Sequence, residues 1–514
     1  MGFWRRALTA ARSIAAGQRP PASASAPIAP TPFEGASQGR LIGNMRGTSA
    51  SISTLVSWYG ATLRQRAHHL ERNNPYATAA PDAFAAYAVG TGIMPSPQTT
   101  DVALKGRLVQ LWQDWSEESD WDGVLDVYGQ QWLSARSAFV AGDCFAVRKS
   151  VAPGDFAFLP LRIQLLEADH LALDRNETLG GDVEIRSGIE YAGGRRVAYH
   201  FLKRHPGDML GARDAGATVR VPAADVIPIF MPRRIGQIRG YSHMSPSMVR
   251  MIMFDDYDVN EAARKRFASG SSGYLVTKGG PAASPLAAEA AANAAAAGEG
   301  DSGTGQIRME PATISLVEHD GELKFSEPAD VGGSYDPFQY RNLTAIGAGM
   351  GIPYHVLTGD LREANYSSLR QGQIDFRRRL EPFQHHAMVQ GFCRRVWGWF
   401  VEAAVLAGAI DVRDFDKRRP EYLRIKWIPP KWEWVDPLKD LNAEKLAVRN
   451  GFKPRSEVVE AQGLDPIDVD RRIKADNERA DADGLVFDSD ARRGAGAPDP
   501  VILDDAGGKK KGAA

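Results

Sequence analysis

The spacing of apolar residues divides the chain into helical blocks on either side of a block with the shorter period of strands. Leu104, Leu108, Leu111, Trp112 and Trp115 recur at helical intervals over 101–116 and predict a helix with one buried face. The material before it, 48–90, is also helical: it breaks at Asn74-Pro75 and resumes as an alanine-rich amphipathic segment over 76–89. The period then changes. Runs at 143–148, 161–166, 189–191 and 197–201, bounded by Gly, Pro and Asp, read as strands. Pro228 demotes a last apolar run, 226–230, to a sheet edge. Residues 246–269 return to helix, about 36 Å long at 1.5 Å per residue, with Met248, Met251, Ile252, Val259 and Phe267 on or near one face.

A second helix is predicted over 336–351, with Pro337 in its first turn and Phe338, Leu343, Ile346 and Met350 on one face. Gly347, Gly349 and Gly351 weaken its end, and Pro353 forces Ile352 out of helical geometry. A polar connection follows over 352–366, with Thr358-Gly359-Asp360 as its turn signal. From Ser367 the helical pattern runs through Leu369, Ile374, Phe376, Leu380 and Phe383, then Met388, Phe392, Val396, Trp397, Phe400 and Ala404. Pro382 sits between these halves and predicts a bend or break there. Beyond Gly408 come an alternating strand at 423–428 and three short helices, 437–450, 454–462 and 465–480, closed by Gly451, Gly463 and Gly484. Helices flanking a small sheet make the fold class α+β.

Composition narrows the picture only a little. A length of 514 residues predicts roughly three domains or sub-domains. The formal net charge of −1 lacks the basic excess of a protein that grips nucleic acid. Cys144 and Cys393 are read as free thiols of a reducing compartment. No apolar run approaches the roughly 20 residues of a membrane span, so no membrane partner is expected. Residues 281–305 are mostly Ala, Gly and Ser, too poor in bulky apolar groups to offset ordering entropy. The basic start, Met1 to Arg6, reads as the head of a disordered tail.

Catalytic signatures are missing. No phosphate loop occurs, since the glycines at 347, 349 and 351 do not open a helix after a strand, and there is neither a Gly-x-Ser-x-Gly elbow nor a His-Glu-x-x-His pair. The run Asp120-Trp121-Asp122-Gly123 fails the EF-hand spacing and reads as a solvated loop capping a helix that starts near Gly123. His68-His69 and His385-His386 are adjacent pairs whose side chains should diverge on a helix, so no shared metal is expected, and no cofactor. Trp427, Trp432 and Trp434 could form a base-stacking surface, although core packing of a returning strand is the plainer reading.

One set of ordered runs goes further: Arg72-Asn73-Asn74-Pro75-Tyr76-Ala77, Gly90-Thr91-Gly92-Ile93, Glu167-Ala168-Asp169, Gly236-Gln237-Ile238-Arg239-Gly240, 341–354, Leu357-Thr358-Gly359-Asp360, and Asn365-Tyr366-Ser367-Ser368 with Arg370. Over about 50–485 the chain resembles the lambda-type portal proteins of tailed bacteriophages. The resemblance implies a virion protein at one capsid vertex, a homo-oligomeric ring (dodecameric in the family), and a channel for packaging and ejecting double-stranded DNA. It implies as partners the terminase large subunit, the major capsid and scaffold proteins, and head-tail connector proteins, with assembly in the host cytoplasm and no enzymatic step. It divides the chain into an N-terminal arm (1–45), a wing (46–245), a first stem helix (246–269), and a clip (270–335) carrying the 281–305 insertion. A second stem helix (336–351), a tunnel loop (352–366), a long kinked helix (367–408), returning wing strands (409–436), a helical crown (437–487) and a disordered tail (488–514) follow.

By the same resemblance the tunnel-loop residues are Pro353, Tyr354, His355, Thr358, Gly359, Asp360, Arg362, Glu363, Asn365 and Tyr366, with Arg362, Asp360 and Glu363 facing DNA or neighbouring subunits. Asp255, Asp256, Glu261, Arg264 and Lys265 are the stem candidates, the acidic ones repelling phosphate. Arg377, Arg378 and Arg379 are expected to pair between subunits. Two other readings stay open: a head-tail connector, which would lack two stem helices flanking a clip, and a hydrolase, which would lose a measurable activity on substitution of one His or Asp.

Overall fold

The main core gathers Phe84, Trp112 and Trp397 of the helices with Ala146, Ile163 and Ile227 of the strands. The computed structural model describes residues 47–99, 101–152, 154–208, 216–269, 273–276, 322–325, 335–362, 365–410, 415–431 and 437–487. Of its two units, Met1–Ser51 is described only over 47–51, and Ile52–Ala514 holds every regular element below. The arm at 1–45, the insertion at 281–305, the run at 313–317, Glu363, Trp432, Trp434, the side chain of Phe267 and the tail at 488–514 lie outside the described residues.

Helices α1 (Ile52–Asn73) and α2 (Pro75–Ala88) meet at Asn74, whose side chain accepts the Ala77 N–H at 3.0 Å while Pro75 fills the first turn. Small residues on α2, Ala77, Ala80, Ala85 and Ala88, are buried, which lets α4 (Val127–Val140) pack close. Phe84 touches the rings of Phe139 and Phe383 with centroids 5.0 and 4.8 Å away. On α3 (Val102–Ser116), capped by Asp101, Trp112 gathers Trp115, Trp397 and Phe400 at 5.0–5.2 Å. Trp427 completes this cluster, so it is a core residue.

Strand β1 (Met94–Pro97) pairs antiparallel with β12 (Ile425–Ile428), joining residues more than three hundred positions apart. A three-stranded sheet has the order β3-β2-β9, from β2 (Cys144–Ser150), β3 (Leu161–Glu167) and β9 (Val226–Ile229), so Pro228 does lie on an edge strand. Strands β4 (Glu177–Gly180), β5 (Val183–Arg186), β6 (Ile189–Ala192), β7 (Arg195–Leu202) and β8 (Thr218–Pro222) form a five-stranded meander. A second, smaller core of Phe145, Tyr199, Phe201 and Val226 joins the two sheets.

Helix α5 (Met248–Ser269) leads to the antiparallel pair β10 (Gly273–Val276) and β11 (Glu322–Phe325), and α6 (Tyr335–Met350) returns beside it. After α7 (Tyr354–Thr358) comes one continuous helical path: α8 (Tyr366–Pro382), an 11-residue π-wound segment (Phe383–Cys393) and α9 (Arg394–Leu406). The expected break at Pro382 is therefore replaced by a change of winding, since Pro382 keeps φ −61° and ψ −41°. Wider turns absorb the proline without ending the helix. Helices α10 (Phe415–Leu423), α11 (Pro437–Arg449), α12 (Arg455–Ala461) and α13 (Pro466–Ala482) complete the α+β fold. Gly451, Gly463 and Gly484 all have φ between 66° and 75°, as helix-ending glycines do. Among the described residues no helix is long and apolar enough to cross a membrane.

Candidate functional site

From Gly351 to Arg362 the chain after α6 is closely hydrogen-bonded. Gly351, at φ 79°, ends α6 and turns the chain so that the Ile352 N–H donates to the Gly347 carbonyl at 2.9 Å. A Cβ on Gly347 would lie 2.5 Å from the Ile352 carbonyl oxygen, so that glycine is required by close approach. Gly349 is required too: its Cβ would sit 2.2 Å from Ser247 Oγ, where α5 begins. These glycines do more than loosen the helix end: Gly347 lets the turn after it close, and Gly349 lets α5 and α6 touch.

Pro353 then caps α7, so the predicted polar connection contains a short helix, anchored by buried Leu357 and by Tyr354 against the Tyr340 ring at 4.7 Å. Gly359 closes it at φ 70°, its N–H donating to the His355 carbonyl at 3.0 Å. Asp360 is the hub. It accepts the Tyr354 hydroxyl at 3.0 Å, the Arg362 backbone N–H at 3.1 Å, and Arg362 Nε and Nη2 at 3.0 and 2.8 Å. Its own N–H donates to Thr358 Oγ1 at 3.1 Å, and Thr358 donates to the Tyr354 carbonyl at 2.8 Å. Hydrogen bonds from Arg362 hold the Asp360 carboxyl well below the usual carboxylate range, and the same pairing pushes the guanidinium up. Arg362 also lies 3.7 Å from Asp336 Oδ1 on α6. Arg362 is thus exposed and paired with Asp360. His355 is half-buried, and burial lowers its pKa. Asn365 caps α8 by accepting the Ser368 N–H at 2.8 Å, and Tyr366 opens that helix.

On α5 the charges divide. Asp256 is exposed and Asp255 half-buried. Glu261 is buried, accepting Arg264 Nε and Nη2 at 2.8 and 2.6 Å with Lys265 at 3.9 Å, so Glu261 and Arg264 compensate each other within the helix. Lys265 also stands over the Tyr335 ring at 4.6 Å, and Asp258 accepts Tyr335 and Gln339 from α6 at 3.2 Å each. The apolar face differs from expectation as well. Met248, Met251 and Phe254 are buried, whereas Ile252 and Val259 are exposed with Val249 and Met253.

The other runs singled out in the sequence hold elements together. Arg239 and Asp143 form a pair with side chains only 2% and 1% exposed, Nε to Oδ2 at 2.5 Å and Nη2 to Oδ1 at 3.0 Å. Gln237 accepts the Arg233 N–H and donates to the Arg239 carbonyl, fixing the turn that leads into α5. Asp169 binds Arg64 of α1 at 2.7 Å. Gly92, at φ 120°, makes room for the Tyr128 ring.

Two other expectations need correction, and one contact lies beyond any expectation. Asp120 is buried and accepts from the Val124 and Leu125 N–H groups and from Gln130, so it braces a loop whose residues 121–123 are exposed as expected, and the helix begins later, at Val127. The rings of His385 and His386 do not diverge but stand edge to face at 5.0 Å, within the π-wound stretch. His68 comes close to Glu167 and Asp169 across about a hundred residues, a juxtaposition that no local spacing announces.

Residues 38–384 match the family described as "Phage portal protein, lambda family". A protein of Halomonas phage phiHAP-1 named "Probable portal protein" is 25% identical over 503 residues, 93% of each chain. Among solved structures, a chain of "Virion of native gene transfer agent (GTA) particle" is 16% identical with a TM-score of 0.44, covering 79% of this chain and 94% of that one. A chain of "Neck of empty GTA particle computed with C6 symmetry" is 15% identical with a TM-score of 0.41, covering 84% and 99%.

Proposed function

The chain belongs to the lambda family of phage portal proteins, and from that membership we propose that it closes into a homo-oligomeric ring around a channel for double-stranded DNA. The observation that carries the reading is the family match over 38–384. The exposed apolar residues Val249, Ile252, Met253 and Val259 along α5 support it, because a helix in a ring buries a second face against its neighbours. In this reading α5 and α6 are the stem, the pair β10 and β11 belongs to the clip, the two sheets with α1 to α4 form the wing, and α11 to α13 form the crown.

The connection from Pro353 to Asn365 narrows the channel, stiffened by the Tyr354, Asp360 and Arg362 network. Its compensated charges fit a wall that lets phosphate pass, since each uncompensated arginine in a ring would be repeated around the DNA. The clip end receives the terminase large subunit and later the head-tail connector proteins. The wing faces the major capsid and scaffold proteins, with assembly in the host cytoplasm. The motor chemistry belongs to another chain.

Arg362→Ala tests the loop assignment. Rings should form normally, while DNA packaging or retention of packaged DNA falls in a complemented phage. Normal packaging and retention would remove the loop from the channel wall.

A further inference from the structure

We propose that His68, Glu167 and Asp169 form a binding site for a divalent transition-metal ion of the zinc class, clipping α1 to the turn after β3. One donor atom from each residue lies within 4.8 Å of the others. A tetrahedral zinc site with bonds of about 2.0–2.1 Å needs donors about 3.4 Å apart, so a modest side-chain contraction closes the set. Glu167 can supply it, because its side chain is 58% exposed and is held only by the contact to His205, and the same exposure admits the ion.

The other two donors are pre-set by their own partners. Arg64 contacts Asp169 through Nε at 2.8 Å and Nη2 at 2.7 Å, both on Oδ1, which orients the carboxylate and leaves Oδ2 for a ligand. His68 Nδ1 lies 3.2 Å from Glu71 Oε2, which leaves Nε2 as the metal-facing nitrogen. Glu71 is held in turn by Arg136. A carboxylate behind a ligating imidazole is the usual support for a metal-bound histidine, fixing its tautomer and raising its basicity. His205 Nε2, 3.3 Å from Glu167 Oε2, stands beside the site as a further nitrogen donor. One imidazole and two carboxylates suit zinc, cobalt or manganese over magnesium, which prefers oxygen alone and keeps its waters.

The test uses untagged full-length protein stripped with chelator and titrated calorimetrically with zinc chloride, with magnesium chloride as comparison. The expected result is one zinc per chain, no magnesium heat, and a higher unfolding temperature with zinc. Glu167→Gln, a surface change that leaves the fold intact, should weaken zinc at least tenfold, as should His68→Gln. His69→Gln should bind as wild type. The proposal is overturned by the lack of a stoichiometric zinc site, or by zinc binding that neither Glu167→Gln nor His68→Gln weakens.

Discussion

Replacing Arg239 by methionine should be among the most damaging single changes outside the hydrophobic core. The substitution roughly preserves volume but removes both guanidinium contacts to Asp143 and the donor to the Ala168 carbonyl at 2.9 Å. Asp143 keeps only the Gly240 N–H, at 2.9 Å, in a site almost without solvent. Stranding one member of a buried ion pair costs about 3–5 kcal/mol. Asp143→Leu strands the arginine and should cost a similar amount. The double variant removes both charges, leaving unmet only the Gly240 N–H and the Ala168 carbonyl, each worth about 1–3 kcal/mol. It should therefore cost about 2–6 kcal/mol, less than the roughly 6–10 kcal/mol sum of the two single changes. Denaturant unfolding at fixed protein concentration, followed by tryptophan fluorescence, measures all three. Loss of less than about 1 kcal/mol for Arg239→Met, or a double variant equal to the sum, would refute the view that this pair acts as a buried brace at the start of α5.

Two further expectations concern the same framework. Gly349→Ala places a methyl 2.2 Å from Ser247 Oγ and should destabilise by about 1–3 kcal/mol, with Ser247→Gly recovering part of the loss; an unchanged unfolding midpoint for Gly349→Ala would contradict the close approach of α5 and α6. Burial pushes the pKa of His243 from 6.5 down to about 3 between the rings of Phe84 and Phe139. The unfolded chain then binds a proton that the folded chain refuses, so stability declines as pH falls from 6.5 toward about 3, by about 2 kcal/mol at pH 5. His243→Leu should lose that share of the pH dependence, measured as the wild-type minus variant difference between pH 8 and pH 5; an unchanged difference would contradict the burial argument.

The long helices were legible because their signal is local: apolar residues at helical spacing, as from Leu104 to Trp115, and glycines or prolines at their ends. Strands that pair across long distances were harder. Met94–Pro97 carries two prolines, tolerated because it pairs on one side only, with a strand near residue 425. Strand β4, exposed at every position, has no apolar alternation to announce it. The loop residues from Pro353 to Asn365 were placed by family resemblance, but the compensation of Arg362 depends on which side chains face it, which spacing does not encode. The same holds for Asp120, whose burial follows from Gln130 and two backbone N–H groups folding around it. The meeting of His68 with Glu167 and Asp169 is tertiary in the same sense.

The central claim is the ring. Electron-microscope class averages of the purified protein, with native mass measured on the same sample, test it most directly. Rings of about a dozen copies with a central opening are expected, their contacts including the exposed apolar face of α5. A protein that stays monomeric or dimeric at high concentration, and also when co-produced with its scaffold, would contradict it.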